Sequence, residues 1–332
     1  MSEDIKLHYE FMLSHAAFPV IGSLITYRIA EHLQTGPKSA EELASFASIN
    51  STRLFQYLRL ASYFNIFAFD SDSQKWANTP KSLILTSSLS RSLWEWGTDS
   101  FLLDAFIHTT SILASDKEPY TIKNYPPLFE DLSQKPDSFT KFQRCMSEIT
   151  AFNLNLIIEN IDIGESKKVL DVGGADGSLL LGILQKQTHA QGGIMDRPEV
   201  ALIANTNLSE NGFSERVQFH EGDFFESITE GYDCIVMKQI IHDWNDEKAS
   251  LILRNCRKVL NKGNKLFVID QIIDKNSEYY ATNLAMDNIM LIALGAKERT
   301  APEFEKLFTE SGFRLIDIKS AEHHSVIGAV AV

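Results

Sequence analysis

The stretch of this chain best suited to chemistry is a glycine-rich segment at residues 168–180, which reads KVLDVGGADGSLL. Its first half is a short apolar run, typical of a strand that is buried on both faces. Its glycines permit positive φ and remove side chains that would block a ligand, and its leucines begin a helix. This pattern predicts a site for a nucleotide-like ligand at the carboxyl edge of a parallel sheet.

The glycine spacing distinguishes between two kinds of cofactor. A dinucleotide fingerprint requires G-x-G-x-x-G. Counted from Gly173, its second and third glycine positions are Ala175 and Ser178. An acidic-x-Gly-x-Gly-x-Gly loop, which binds S-adenosyl-L-methionine (SAM), is matched by Asp171, Gly173 and Gly177, with Ala175 in the middle position. The spacing favours SAM over NAD, and an ordinary tight strand–helix turn is the alternative.

Two more acidic residues follow predicted strands of the same sheet. Asp196 closes the second strand, where a carboxylate can accept hydrogen bonds from both ribose hydroxyls. It can equally cap a helix that begins at Pro198. Asp223 follows the third strand, where it can accept a hydrogen bond from the adenine amino group while Phe224 covers the base. The alternative for this second pair is a loop acid beside core aromatics.

A histidine follows the fourth predicted strand, in the segment KQIIHDW that starts at Lys238. This position puts His242 at the carboxyl edge of the sheet, and histidine is the side chain best placed to take a proton near neutral pH. The alternative is a surface or N-cap histidine ahead of the helix that starts near Asn245. The residues alone leave both interpretations open.

An alternating pattern of strands and helices must position these residues. From Lys168 onward this alternation predicts a doubly wound α/β sheet, with helices such as Asp246–Val259 and Ala301–Ser311. The predicted strands are Lys168–Val172, Gly193–Met195, Val217–His220, Cys234–Met237, Leu266–Ile269, Arg314–Lys319 and Ser325–Val332.

The region before the sheet reads as three helices and a small hairpin, which together predict a winged helix over residues 1–95. Its candidate recognition helix has only Arg53 and Arg59 as cations, whereas DNA binding depends on clustered Lys and Arg. The segment from Ile5 to Leu33 also carries more apolar residues than one core-facing stripe requires. We therefore expect this domain to form a homodimer rather than to bind DNA, and residues 96–332 to form the catalytic domain.

Bulk composition excludes several function classes. The chain has 332 residues and a net charge of −13, with no basic patch for nucleic acid or an anionic membrane. Its three cysteines lack metal-ligand spacing and suggest reduced thiols. The N-terminus lacks the pattern of a signal peptide, and no apolar run is long enough to span a membrane. A cytoplasmic protein is expected.

Taken together and in order, the motifs resemble those of the SAM-dependent O-methyltransferases of the caffeate, hydroxyindole and flavonoid type. The resemblance covers nearly the whole chain, including a Rossmann-like sheet and an N-terminal winged-helix dimerisation domain. The motifs that carry it are Val169–Gly177, Asp196–Pro198, Gly222–Phe225, Lys238–Trp244 and Gly295–Thr300.

The resemblance implies a role for each matching residue. His242 is the general base, Glu298 orients it, and Asp270 stands where many members have a second orienting Glu. For the cofactor, the resemblance implies a methionine-side loop, a ribose ligand, two adenine contacts and a lysine. The loop beside the methionine portion contains Asp171, Gly173 and Gly177. Asp196 is the ribose ligand, Asp223 and Phe224 are the adenine contacts, and the lysine is Lys238.

The implied reaction is methyl transfer from SAM to a hydroxyl of a small aromatic or polyketide-like acceptor. No metal is expected, because the chain shows no cluster of three carboxylates of the metal-dependent kind. Alternatives are a non-methylating SAM enzyme of the same fold, such as a decarboxylase or hydroxylase, a winged-helix regulator, and an NAD-dependent reductase. Residues expected near the acceptor, or else in ordinary core packing, are Phe142, Met146, Asn153, Met286 and Met290.

Overall fold

The computed structural model describes residues 3–332, whose contacts divide the chain into two compact units. The first unit runs to Asp104 and also takes in Pro136–Glu148, and the second contains Ala105–Lys135 and Ile149–Val332. The functional boundary at residue 95 stays a prediction. The expectation about a signal peptide rests partly on Met1 and Ser2, which lie outside the described residues.

The first unit contains the predicted helices and hairpin. A capping box at Ser39 begins the third helix, since the Ser39 hydroxyl accepts from the Glu42 amide and the Glu42 carboxylate accepts in return. Its elements are α1 (Glu3–Thr26), α2 (Ile29–His32), α3 (Ala40–Ala47), α4 (Ser51–Tyr63), β1 (Phe67–Asp70), β2 (Lys75–Asn78), α5 (Pro80–Ile84) and α6 (Ser88–Gly97). The antiparallel β1–β2 pair confirms the predicted hairpin.

Five helices connect the winged region to the sheet. They are α7 (Ser100–Phe106), α8 (Thr109–Leu113), α9 (Pro119–Ile122), α10 (Leu128–Ser133) and α11 (Pro136–Asn160). The longest of them, α11, is kinked at Asn153, whose φ of −119° and ψ of 17° are not helical. The sequence pattern does not reveal this kink, because no proline or glycine marks it.

The second unit is built on a seven-stranded sheet whose order is β5-β4-β3-β6-β7-β9-β8. Its strands are β3 (Lys168–Val172), β4 (Gln191–Asp196), β5 (Val217–Glu221), β6 (Cys234–Lys238), β7 (Lys265–Asp270), β8 (Phe313–Ala321) and β9 (His324–Ala331). The helices around it are α12 (Ser178–Lys186), α13 (Ala201–Glu210), α14 (Asp246–Val259), α15 (Tyr280–Leu294) and α16 (Ala301–Glu310). Strands β3 to β7 are parallel, while β9 runs antiparallel to both β7 and β8.

Each face of the sheet buries its own apolar cluster. Alternate residues of one strand go to opposite faces, so Val169 joins one cluster and Leu170 the other. This two-sided burial explains the unbroken apolar runs that predicted the strands. The predicted strands and the doubly wound architecture are confirmed, and the loops after β3, β4, β6 and β7 meet at one edge of the sheet.

Candidate active site

The loop after β3 requires glycine at two positions. Gly173 and Gly177 have φ of +70° and +79°, and a Cβ atom at either would clash with Ile240 or Ile194. Ala175 adopts a φ of +47° despite its side chain. The departure from the glycine pattern at residue 175 therefore leaves the left-handed backbone conformation of the loop intact.

Asp171 places its carboxyl group beside this loop. It is buried, and its Oδ2 atom has no hydrogen-bond partner. Burial, followed by the charges of Asp196 and Asp176, raises the pKa of Asp171 to about 8. A buried acceptor without a partner fits a ligand that carries positive charge and N–H donors, and SAM has both a sulfonium and an ammonium group.

Asp196 ties the glycine loop to the second strand. Its Oδ2 accepts from the Ala175 amide at 2.8 Å and its Oδ1 from the Arg197 amide at 2.7 Å. Burial raises its pKa. The short 3-10 helix that starts at Pro198 has Arg197 as its N-cap, so the helix-capping alternative for Asp196 is wrong. The carboxylate stands at the carboxyl end of β4, as the ribose hypothesis requires.

The predicted adenine contacts lie after β5. Asp223 is exposed and accepts from the Phe225 amide at 2.8 Å. The half-buried ring of Phe224 packs edge-on against Phe225 and Trp244. These contacts are those of a loop acid beside core aromatics, and they leave the Asp223 carboxylate open to solvent. Lys238 ends β6 and its ammonium donates to the Gln239 side chain.

His242 lies in a short 3-10 turn, Ile241–Asp243, just beyond β6. It is only 4% exposed, and the N-cap of α14 is Asn245 rather than His242. Both alternatives for this histidine, a surface residue and a helix cap, are therefore wrong. The structure holds a buried imidazole at the carboxyl edge of the sheet.

Carboxylates face both nitrogens of the His242 ring. Nδ1 lies 2.7 Å from Oε1 of Glu298, and Nε2 lies 3.4 Å from Oδ1 of Asp243. Burial alone lowers the pKa of His242, but the charges of Glu298, Asp270 and Asp243 outweigh it and raise the pKa to about 10. The imidazole is therefore an unusually strong base.

The acids of this cluster share the effect of burial. Asp270 ends β7, is fully buried, and neither of its carboxylate oxygens has a hydrogen-bond partner. Burial raises the pKa values of Asp270 and Asp243 to about 7. Sequence reasoning missed Asp243, although its position directly after the histidine was the available clue. The cluster holds protons at neutral pH.

The main chain of Glu298 is fixed from a separate helix. Asp287 on α15 accepts from the Glu298 amide at 2.9 Å, and the Glu298 side chain is completely buried. The next residue, Arg299, forms a parallel bridge with Ile272, which follows β7. Glu298 is thus held by neighbours on both sides before it meets the imidazole.

The residues predicted near the acceptor fall into both units. Phe142 and Met146 belong to the first unit, where the Phe142 ring packs edge-on against Trp96. In the second unit, Met286 and Met290 are partly exposed and lie one turn apart on α15.

Asn153, also in the second unit, is buried. Its amide nitrogen donates to the carbonyl of Ala321 and contacts Nδ1 of His324. These contacts join the residue at the kink of α11 to Ala321 and His324.

The described part of the chain shows no group of three or more His, Cys, Asp and Glu side chains arranged to hold a metal ion. Across residues 3–332, no helix is both long and apolar enough to cross a membrane.

Comparisons with known proteins agree with this fold. The family model for the O-methyltransferase domain matches residues 109–314, so the chain belongs to that family. The phenazine O-methyltransferase PhzM of Lysobacter antibioticus is 30% identical over 294 residues, which cover 86% of this chain and 84% of that protein.

Solved structures extend the likeness to the whole chain. The mitomycin 7-O-methyltransferase MmcR superimposes with a TM-score of 0.91 at 23% identity, over 99% of this chain and 98% of that one. A second structure is NcsB1, an O-methyltransferase from neocarzinostatin biosynthesis solved with SAM and 2-hydroxy-5-methyl naphthoic acid. It superimposes with a TM-score of 0.83 at 25% identity, over 95% of this chain and 96% of that one.

The protein is a SAM-dependent O-methyltransferase. Its relatives support neither the regulator nor the reductase alternative, nor the non-methylating chemistry.

Proposed function

We propose that the enzyme methylates a phenolic or enolic hydroxyl of a small aromatic or polyketide-like metabolite, with His242 as the general base. The observation that carries this proposal is the buried hydrogen bond between His242 and Glu298 at the carboxyl edge of the sheet. The names of the relatives support the acceptor class, since they refer to phenazine, mitomycin and naphthoate compounds.

The basicity of His242 suits a phenolic acceptor. An ordinary phenol has a pKa of about 10, so the carboxylates that raise the pKa of His242 also favour transfer of the phenol proton to the imidazole. His242 takes the proton on Nε2, and Glu298 stabilises the resulting imidazolium through Nδ1. When bound, SAM supplies the electrophilic methyl group. The acceptor oxygen forms the new bond to this methyl, and the carbon–sulfur bond breaks.

For the cofactor, we propose that the residues after successive strands hold its successive parts. Asp171 and the loop containing Gly173 and Gly177 face the methionine portion, and Asp196 binds the ribose. Asp223 and Phe224 contact the adenine, and Lys238 completes the site. Support comes from the Oδ2 atom of Asp171, which has no hydrogen-bond partner, and from the position of Asp196 at the end of β4.

For the acceptor, we propose that apolar side chains contact its ring. Met286 and Met290 of the second unit are suited to a flat aromatic surface, since contacts of sulfur with aromatic rings are favourable. Phe142 and Met146 of the first unit stay predictions. Asn153 remains a candidate through its Oδ1 atom, which has no hydrogen-bond partner. Positioning of the two reactants supplies much of the remaining rate enhancement.

We also infer that the enzyme is a homodimer formed through residues 1–95. Support comes from α1, where large apolar side chains are exposed, among them Phe11 at 70% and Met12 at 64%. Light scattering at micromolar concentration should give twice the chain mass of 37.4 kDa. A monomeric mass would remove this inference. The sparse, odd number of cysteines, three in 332 residues, supports a cytoplasmic location.

The acceptor class is tested by methyl transfer from isotopically labelled SAM to matched compounds. Each set contains a phenol, the corresponding aniline and the corresponding benzyl alcohol on one ring system. The proposal predicts label on the phenolic oxygen and little on the other two. Preferential labelling of the aniline nitrogen or of the alcohol would contradict it.

A further inference from the structure

Arg299, the residue after Glu298, has no role in the reaction described so far. Its side chain is completely buried, which is costly for a charged group unless its donors are satisfied. Arginine offers five N–H donors in a rigid fork.

Arg299 contacts the backbone on both sides of His242. Its Nη1 donates to the carbonyl of Ile241, directly before the histidine, at 2.9 Å. Its Nη2 donates to the carbonyl of Trp244, two residues after the histidine, at 2.8 Å. Both bonds lie within the segment that carries the proposed base.

The same side chain is anchored to the helix that follows. Nε and Nη2 of Arg299 both donate to Oδ1 of Asp246, at 3.0 and 2.9 Å, and Asp246 is the first residue of α14. The backbone of Arg299 is itself fixed, because the Ile273 amide donates to its carbonyl at 3.0 Å. Arg299 therefore joins the extension of β7 to the turn after β6 and to the start of α14.

We propose that Arg299 is a positioning residue for methyl transfer, which holds the backbone of residues 241–246 while Glu298 holds the imidazole ring. Glu298 thus fixes the ring of His242 and Arg299 fixes its backbone, and together these determine where Nε2 points. A ring held only at Nδ1 can still swing with its main chain, and misplacement by about 1 Å can cost on the order of 10²-fold in rate. This inference rests on the proposed role of His242 as the base.

Substitutions at Arg299 separate its geometry from its charge. Lysine keeps the charge but places all its donors on one nitrogen, which cannot serve acceptors on both sides of the turn. R299M removes every donor. We expect kcat to fall roughly 10²-fold in R299M and less in R299K. The SAM dissociation constant and the acceptor KM should change less than about twofold, because Arg299 contacts neither ligand in the proposed site.

The matched control is Lys297, two residues earlier. Its ammonium lies 3.2 Å from Oδ2 of the same Asp246 and 2.8 Å from Glu303. These ion pairs are partly exposed. K297M should therefore keep kcat within about twofold of wild type.

A second variant guards against a simple loss of folding. The Asp246 side chain is 61% exposed, so D246A should fold even if R299M does not. It removes the carboxylate that Arg299 contacts and should lower kcat by a smaller factor, again without changing KM. The ring nitrogen NMR signals of His242 should shift in the same variants, as its hydrogen bond to Glu298 loosens.

Two outcomes overturn the inference. In the first, R299K or D246A has a lowered melting temperature, but its kcat per folded molecule and its His242 NMR signals match wild type. Arg299 would then have a structural role only. The other is a rise in KM with unchanged kcat. Failure of the proposed function is distinguishable, because H242A would then retain wild-type turnover whatever the result at Arg299.

Discussion

His242 and Glu298 are 56 residues apart in the chain, yet Nδ1 of the histidine lies 2.7 Å from Oε1 of the glutamate in a buried hydrogen bond. The two residues come from different loops at one edge of the sheet. This bond orients the imidazole and, together with Asp270 and Asp243, makes it a stronger base than a free histidine.

Replacing Glu298 should weaken catalysis without removing the base. In E298Q the amide keeps the approximate shape but loses the charge that raises the pKa of His242. We expect a loss of kcat smaller than the 10²–10⁴-fold that general-base catalysis typically contributes. Steady-state kinetics with E305Q, an exposed position on α16, provides the control. Equal activity of E298Q and wild type would show that this bond does not matter for turnover.

Activity should rise with pH. The proposed base, His242, acts only when it has lost its proton, and its pKa is raised to about 10. Below that value each pH unit increases the neutral fraction about tenfold. We therefore expect kcat/KM to increase from about pH 6 to pH 9 for an acceptor that stays protonated over this range. A profile that falls across this range would contradict the assignment.

Much of the candidate site could be proposed from the sequence because its residues lie in or just after predicted strands. Asp171, Asp196 and His242 each lie in or just after a short apolar run, and parallel strands bring such positions to one edge. Charges contributed from distant segments could not be predicted this way. No local pattern shows that Arg299 reaches back to the carbonyl of Ile241.

The fold, like the candidate site, has features that local sequence predicts and others that depend on long-range contacts. Local periodicity predicts β8 and β9 as strands, but it does not reveal that β9 inserts between β7 and β8, since strand order depends on long-range pairing. The contacts of Asn153 at the kink of α11 are also long-range, because they reach Ala321 and His324.

The stability of the unliganded protein should depend on pH through Asp171. The pKa of its carboxyl group is about 8 in the folded protein, compared with an ordinary value of 3.8. The folded state therefore binds the proton more tightly than the unfolded state. Stability due to this group is therefore lost as pH rises from about 4 to 8. Compared with D171N, wild type should lose at least about 1 kcal/mol more between pH 5 and pH 8, since one pKa unit is worth about 1.4 kcal/mol. Urea unfolding of both proteins measures this; parallel pH dependence would refute it.

Asp196 should matter for SAM affinity. D196A removes the proposed ribose ligand and also frees the Ala175 amide that fixes the glycine loop. We expect SAM to bind at least about tenfold more weakly by calorimetry, as loss of a charge-assisted hydrogen bond implies. E199Q, at an exposed residue that pairs with Arg197, is the control. Unchanged affinity in D196A would exclude Asp196 from the cofactor site.

The central claim is that His242 takes the proton from the acceptor hydroxyl, and turnover of H242A tests it most directly. With labelled SAM and a phenolic acceptor at saturating concentrations, we expect kcat to fall by about 10²–10⁴-fold. The SAM dissociation constant should stay near the wild-type value, because the proposed cofactor ligands are untouched. Wild-type turnover by H242A across neutral pH would contradict the account, since proximity or another residue would then have to drive the transfer.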